Sequence, residues 1–239
     1  MHCSHARVPQ PFDGAMRGCR KNMRTNIIKV FGLIGLALFL ASAAHADGTT
    51  ANMLFTGANG ANDGQYYVSP YSGTMNGAPV TLFCDDLLHE VYVGETWTAN
   101  VTNLGTAIGA KNFSNTRFGS GISAANATVL YEEVAWLVTQ FTPADQSQWV
   151  NIQHALWDLT DSAVPYTDSA AWTWYLDAKE INNYGGINAN NFLIVTDQNF
   201  KYSGSVQEFI VQTPEPSSLV LLVSAMLGMM LLVIRRGRI

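Results

Sequence analysis

Short apolar runs separated by turn residues dominate the chain between residues 50 and 105. Runs such as Val80-Thr81-Leu82-Phe83 and Val91-Tyr92-Val93 are rich in β-branched and aromatic side chains, and Gly, Asn and Ser lie between them. This pattern predicts several short β-strands joined by tight turns. The dipeptides that favour such turns are Asn59-Gly60, Asp63-Gly64 and Asn76-Gly77.

Helical spacing of apolar residues begins near Ser123, after a Gly/Ser/Asn-rich stretch at 105–122 that predicts a long loop. The first helix is expected to run for about 18 residues, until Pro143 stops it. The second is expected to begin at an N-cap formed by Asp145 or Ser147. The residues with this spacing are Val129, Leu130, Val134, Leu137 and Val138 in the first helix, and Trp149, Ile152, Leu156 and Leu159 in the second.

A third helix is predicted from about Asp168 to Asn183, where Gly185-Gly186 ends it. Two further strands are predicted at 192–196 and 206–211. Strands therefore flank a helical insert. This order indicates an α+β fold, a mainly antiparallel β sandwich or small barrel that carries helices at one end.

Residues 1–46 have the features of a secretory signal peptide. Six basic residues are followed by an apolar run from Val30 to Ala43 and by the tripeptide Ala44-His45-Ala46, which suits a cleavage site. The alternative is a membrane anchor, for which the apolar run is short. Met23 is an alternative start of the chain.

Residues 214–239 form a second non-globular segment. An apolar stretch of 18 residues, counted from Ser217, follows Pro214-Glu215-Pro216 and is just long enough to span a bilayer. The chain closes with Arg235-Arg236-Gly237-Arg238, which the positive-inside rule would keep in the cytoplasm. A plain C-terminal membrane anchor is one interpretation.

This tail resembles the PEP-CTERM sorting signal, which combines a Pro-Glu-Pro motif, one hydrophobic helix and a short arginine cluster. The motif residues here are Pro214, Glu215 and Pro216. The resemblance implies export through the Sec machinery of a Gram-negative cell and transient anchoring in the inner membrane. It also implies cleavage near the motif by an exosortase, with the protein then reaching the cell surface or the extracellular matrix.

The segment between the two ends, 47–213, is long enough for one domain and strongly acidic. Four basic and 16 acidic residues give it a formal net charge of −12. Such a surface argues against binding to nucleic acid or anionic lipid. All six tryptophans of the chain lie in this segment, which favours a packed core.

Cys84 is the one cysteine of this segment, since Cys3 and Cys19 belong to the signal region. A lone cysteine in an exported domain is either buried and inert or reactive. Gln153 lies beside the apolar stripe of the second helix, so a core group is expected to bind its amide. If that group is Cys84, its sulfur can attack the amide carbon, release ammonia and form an internal thioester.

The motifs around these two residues resemble the thioester domains of bacterial surface adhesins. Phe83-Cys84, the later Ile152-Gln153-His154-Ala155-Leu156-Trp157, and Glu133-Val134-Ala135-Trp136-Leu137 on the preceding helix carry the similarity, which covers about 80–165. The resemblance implies that Cys84 and Gln153 are the thioester residues. This chain departs from the best-known members in having a Gram-negative type of tail and His154 directly after the glutamine.

Two other functions remain open at this stage. A cysteine hydrolase would use Cys84 as nucleophile, His89 or His154 as base and Asp85 or Asp158 as the orienting acid, although Asp85 and Asp86 oppose a thiolate. A structural biofilm or exopolysaccharide matrix protein would merely bury Cys84.

Other ligands have weaker support in the sequence. Acidic pairs such as Asp85-Asp86 and Asp158/Asp161 lack the spacing of an EF-hand, so solvated carboxylates are expected rather than a Ca²⁺ site. Trp172 and Trp174 are candidates for a sugar site, but core packing is the expected use. No cofactor or metal is expected.

The function expected from the sequence is covalent attachment, through the thioester, to an amine or hydroxyl on a surface or matrix polymer. That reaction is used once per molecule, so the protein would not be an enzyme in the sense of turnover.

Overall fold

The computed structural model describes residues 49–58, 60–161, 169–213 and 226, which all belong to residues 45–239, the second of two units into which the chain divides. The proposed signal peptide, 1–46, lies outside the described residues, and so does the sorting tail, 214–239, apart from residue 226. Within the described part of the chain, no helix is both long enough and apolar enough to cross a membrane.

Six antiparallel strands form a closed barrel, and this finding confirms the α+β class. The strands are β1 (Thr49–Ala58), β2 (Tyr71–Met75), β3 (Ala78–Cys84), β4 (Thr96–Asn103), β5 (Phe192–Asp197) and β6 (Phe209–Gln212). Their order around the barrel is β1-β2-β3-β6-β5-β4. The first four strands therefore close into a barrel only when the last two, which follow the helical insert, pair with β3 and β4.

Aromatic side chains fill the barrel interior. The ring of Phe209 lies 6.4 Å from Phe55, 6.4 Å from Tyr71 and 6.0 Å from Trp97, measured between ring centroids. Buried and exposed residues alternate along β1 and β2 because one face of each strand points inward. The barrel is a packed core rather than a channel, as expected for so few strands.

Five helices accompany the barrel within residues 49–58, 60–161 and 169–213. They are α1 (Leu104–Ala110), α2 (Ala124–Gln140), α3 (Trp149–Thr160), α4 (Ser169–Lys179) and α5 (Ile181–Tyr184). Helix α1 packs on β4 and β5, and α2 packs on β6 and α3. All six residues of β5 are buried, because one face of the strand points into the barrel and the other is covered.

Several local predictions are confirmed by the structure. The Asn76-Gly77 turn joins β2 to β3, with φ values of 52° and 82° that suit a tight hairpin. Helix α2 follows Ser123, whose side chain accepts a hydrogen bond from the Asn126 amide as an N-cap does.

Other local predictions are wrong. Val91-Tyr92-Val93 lies in a loop before Gly94, because the barrel closes without it. The stretch at 105–122 is not all loop: α1 begins it, and Asn103 caps that helix through its side chain. Packing of α1 against the barrel overrides the low helix propensity of its two glycines.

The starts and ends of the later helices also differ from expectation. Asp145 and Ser147 lie inside a 3₁₀ segment, Pro143–Gln148, and bond to each other rather than capping α3. The third predicted helix is interrupted at Glu180, between α4 and α5.

Candidate functional site

Cys84 is the last residue of β3 and is fully buried. Its sulfur donates a hydrogen bond to the Asp86 carbonyl oxygen at 3.2 Å and accepts one from the Asp86 amide at 3.4 Å. The chain thus folds back around the thiol as soon as the strand ends. In the described part of the chain, Cys84 forms no disulfide.

Gln153 lies in the first half of α3 and is also fully buried. Its Nε2 donates a hydrogen bond to the carbonyl oxygen of Cys84 at 2.7 Å. Its Oε1 accepts a hydrogen bond from the main-chain N–H of Ser69 at 2.9 Å. The structure therefore brings Cys84 and Gln153 into contact across 69 positions of sequence.

Ser69 binds both residues of this pair. In addition to its N–H bond to Gln153, its hydroxyl oxygen accepts a hydrogen bond from the Cys84 amide at 2.8 Å. A main-chain donor on Oε1 withdraws electron density from the amide carbon, as an oxyanion-hole donor does. Ser69 thus positions the strand end and polarises the carboxamide at the same time.

The environment of the Cys84 sulfur keeps it neutral. Burial raises the pKa of the thiol well above its usual range, and the negative charge of Asp86 raises it further. Hydrogen bonds from the Asp86 backbone and the Trp157 side chain lower this pKa, but they do not offset burial. A thiol in these surroundings is protonated at neutral pH, so any nucleophilic attack by this sulfur has to pass its proton to another group.

A buried ion pair lies directly beyond the cysteine. The Arg117 Nε lies 2.8 Å from Oδ2 of Asp86, and its Nη2 donates hydrogen bonds to the Ser205 hydroxyl at 3.0 Å and the Val206 carbonyl at 2.8 Å. Asp86 Oδ2 also accepts a hydrogen bond from the Glu208 amide at 3.2 Å. These contacts tie the segment after β3 to the segment before β6.

In addition to the Arg117–Asp86 ion pair, Asp85 and Glu208 form a buried pair of acidic residues. Burial raises the pKa of Asp85 well above its usual range, and the charges of Glu208 and Asp86 raise it further. Burial also raises the pKa of Glu208, but hydrogen bonds from the Arg117 amide, Thr196 and Tyr131 oppose this shift. Since two carboxylates in one buried site repel, Asp85 carries the proton.

Asp85 and Asp86 are therefore not the solvated acids expected from the sequence. Both are buried, because the chain turns inward after Cys84 and Arg117 neutralises one of them. The main-chain carbonyl of Asp85 is bound by the Thr160 hydroxyl at 2.6 Å, which joins this turn to the end of α3.

The residues suggested for a cysteine hydrolase have other partners. His89 Nδ1 lies 2.9 Å from Asp86 Oδ1, and its Nε2 lies 3.1 Å from Arg117 Nη1. His154 Nε2 lies 2.9 Å from Asp63 Oδ2, and its ring stacks near Trp157. Each imidazole is therefore paired with a carboxylate.

Ser69, Arg117 and Glu208 are site residues that the sequence analysis did not single out. Arg117 is the one arginine of residues 47–213, and Glu208 is the one charged residue of the predicted strand 206–211, so both carried a signal. Ser69 carried none, because its role depends on long-range contacts.

The remaining candidates named from the sequence either lie apart from this site or fall outside the described residues. Pro214, Glu215 and Pro216 are outside the described residues. Trp174 packs against Trp136 at 6.1 Å, as expected, but Trp172 is 49% exposed, contrary to the expectation of core packing. No cluster of three metal-ligating side chains occurs in the described ranges.

No family model, curated protein or solved structure matches this chain. The features that bear on its function are the contacts around Cys84 and Gln153 and the motifs at its two ends.

Proposed function

We propose that this chain is an exported protein whose Cys84 and Gln153 form an internal thioester, through which it attaches covalently to a surface or matrix polymer. The observation that carries the proposal is the buried contact between the Gln153 carboxamide and the main chain of Cys84, at 2.7 Å. A glutamine and the one cysteine of the exported segment meet in the core, where neither can exchange its partner for water.

Thioester formation joins the Cys84 sulfur to the Gln153 amide carbon and breaks the bond from that carbon to Nε2. The nitrogen leaves as ammonia and takes the thiol proton with it. The Ser69 N–H, 2.9 Å from Oε1, stabilises the charge that develops on this oxygen during the attack. The product is neutral and contains neither a buried thiol nor a buried amide N–H, so burial favours it.

Attachment to the target opens the thioester again. An amine or hydroxyl of the target attacks the acyl carbon, the target becomes linked to Gln153, and Cys84 recovers its thiol with the proton of the nucleophile. Both residues are fully buried, which shields the acyl group from hydrolysis before the target arrives. Each molecule reacts once, so the protein is a covalent adhesive rather than an enzyme.

The two ends of the chain deliver the domain to its place of action. Residues 1–46 serve as the signal peptide. The tail, 214–239, serves as a PEP-CTERM signal with a transmembrane sorting helix, and an exosortase cleaves it. Peptide mapping of protein released by the native host should find an N-terminus near Asp47 and a C-terminus around Pro214–Pro216. Recovery of the intact tail from released protein would contradict the sorting role.

Intact mass is the direct test of the thioester. Protein exported from cells that express the full-length gene should weigh about 17 Da less than its processed sequence, because ammonia is lost. The deficit should disappear in Cys84→Ala and in Gln153→Ala, and Cys84→Ser should form little of the corresponding ester. The exposed Gln198→Ala is the matched control and should retain the deficit.

Methylamine tests whether the acyl group can react. It should add to Gln153 and release an alkylatable Cys84 thiol in the folded protein. A wild-type mass equal to the sequence mass, with Cys84 alkylated without prior treatment, would reject the thioester. A structural matrix protein with a buried, inert cysteine would then be the better explanation.

A further inference from the structure

A cleft of about 580 Å³, lined in part by Trp157 of α3, opens on the protein surface. The loop before β2 and the loop between β3 and β4 provide much of its wall. The lining residues that bear on its ligand are Tyr66, Tyr67, Glu90, Tyr92, Trp157 and Gln207.

Two of these residues connect the cleft to the candidate thioester. Trp157 lines the cleft, lies one helical turn after Gln153, and its side chain is one of the groups that lower the pKa of the Cys84 thiol. Gln207 donates through Nε2 to the Asp86 carbonyl oxygen at 3.1 Å, the same oxygen that the Cys84 sulfur binds. A molecule in the cleft would therefore contact two side chains that interact with the surroundings of the Cys84 thiol.

Aromatic rings are exposed at the cleft to an unusual degree. Tyr67 and Tyr92 are 62% and 65% exposed, and Tyr66 rests edge-on against Trp157 at 6.0 Å. Large apolar rings are normally buried, so a group of exposed ones around a concavity marks a binding surface. Flat rings of this kind stack against the C–H faces of sugar rings.

The polar groups of the cleft favour a neutral ligand that carries hydroxyls. Among the described residues that line it, none is Lys or Arg, and the imidazole of His89 already contacts Asp86 and Arg117, which argues against an anionic ligand. The carboxylate of Glu90 already accepts a hydrogen bond from the Tyr92 hydroxyl, so it is less available to bind a cation. The amides of Gln65 and Gln207, together with the tyrosine hydroxyls, can donate to and accept from sugar hydroxyls.

We propose that this cleft binds a neutral glycan and presents one of its hydroxyls to the thioester. Binding itself follows from the cleft alone, whereas the covalent step rests on the proposed function. In that step the glycan oxygen bonds to the Gln153 acyl carbon, the carbon–sulfur bond breaks, and the hydroxyl proton passes to the Cys84 sulfur. The product is a glycan ester of Gln153 and a free thiol.

Calorimetric titration of the exported protein with maltohexaose, cellohexaose and chitohexaose tests the binding step. At least one should bind, and Tyr67→Ala and Tyr92→Ala should each weaken that binding about tenfold. Tyr202→Ala, which removes a ring that is 72% exposed outside the cleft, should leave the affinity unchanged. Failure of all three sugars to bind, or binding only of spermidine or polygalacturonate, would overturn the proposal.

Two further variants distinguish sugar binding from thioester formation, and the cleft from another exposed aromatic surface. Cys84→Ala cannot form a thioester but should bind the sugar as well as wild type does, so binding without any mass deficit would reject the thioester alone. Trp172→Ala probes the exposed Trp172–Tyr175 stack on α4, and a loss of binding there instead of at Tyr67 would overturn the cleft. A hexasaccharide adduct on Gln153 should form in wild type, and its absence from a thioester-containing, sugar-binding protein would overturn the covalent step.

Discussion

The hydroxyl of Ser69 accepts a hydrogen bond from the main-chain N–H of Cys84 at 2.8 Å, although the two residues lie 15 positions apart. The N–H of the same serine binds the carboxamide oxygen of Gln153 at 2.9 Å. One small residue in the loop before β2 thus fixes the strand end that carries the thiol and the side chain that the thiol is proposed to attack.

Replacing Ser69 with alanine should separate these two roles. Ser69→Ala keeps the main-chain donor to Gln153 but leaves the buried Cys84 N–H without its acceptor, which costs about 1–3 kcal/mol of folding free energy. Urea unfolding should show this loss, and a time course of intact mass should show slower thioester formation. Ser114→Ala, at an exposed position, should change neither; a Ser69→Ala protein with wild-type stability would contradict the assigned hydrogen bond.

The Arg117–Asp86 ion pair should be sensitive to loss of one partner. Arg117→Met leaves the buried Asp86 carboxylate without its counter-charge, so we expect a loss of about 3–5 kcal/mol in the free energy of unfolding. The double variant Arg117→Met/Asp86→Asn should recover part of that loss, because no buried charge is left unpaired. Lys111→Met, at an exposed position, is the control. If Arg117→Met and Lys111→Met changed the free energy of unfolding equally, the ion pair would be rejected as a structural element.

Asp85 should make the protein less stable as pH rises. Its pKa in the folded protein is raised, mainly by burial, above the unfolded value of about 4, so folding favours the protonated form. The stabilisation it provides is complete below the unfolded pKa and is lost as pH increases toward the folded pKa. Asp85→Asn mimics the protonated acid and should raise the melting temperature more at pH 8 than at pH 4.

The exposed Asp177→Asn is the control for this pH dependence and should leave the profile unchanged. If Asp85→Asn lowered the melting temperature equally at both pH values, Asp85 would be ionised in the folded protein and the assignment of the proton would be wrong.

The proposed thioester should stabilise the fold, since it would close a loop of 69 residues between β3 and α3. By the chain-entropy relation used for disulfides, such a loop corresponds to about 4 kcal/mol, less any strain in the closed form. Guanidinium unfolding of intact protein and of protein whose thioester has been opened with hydroxylamine measures the difference. Cys84→Ala treated in the same way controls for other effects of hydroxylamine, and identical stabilities of the two wild-type forms would count against the bond.

Local pattern was sufficient for much of the fold. The turn chemistry of Asn76-Gly77 predicted the turn that joins β2 to β3, and the apolar spacing that begins near Ser123 predicted α2, because both depend on residues that are neighbours in sequence. The same local reasoning failed at Val91-Tyr92-Val93. A strand needs a partner edge, and closure of the barrel by β5 and β6 leaves none for this segment.

The α+β class, the acidity of residues 47–213, their lone Cys84 and a Gln153 amide that needed a core partner all follow from the sequence. Only the tertiary structure decided that this partner is the Cys84 main chain, that Ser69 binds both residues, and that Asp85 and Asp86 are buried against Glu208 and Arg117. Periodicity and composition depend on neighbours in sequence, so they indicate only which face of its helix or strand a residue occupies. The pairing of groups 15 to 122 positions apart depends instead on how the barrel closes and where α3 packs on it.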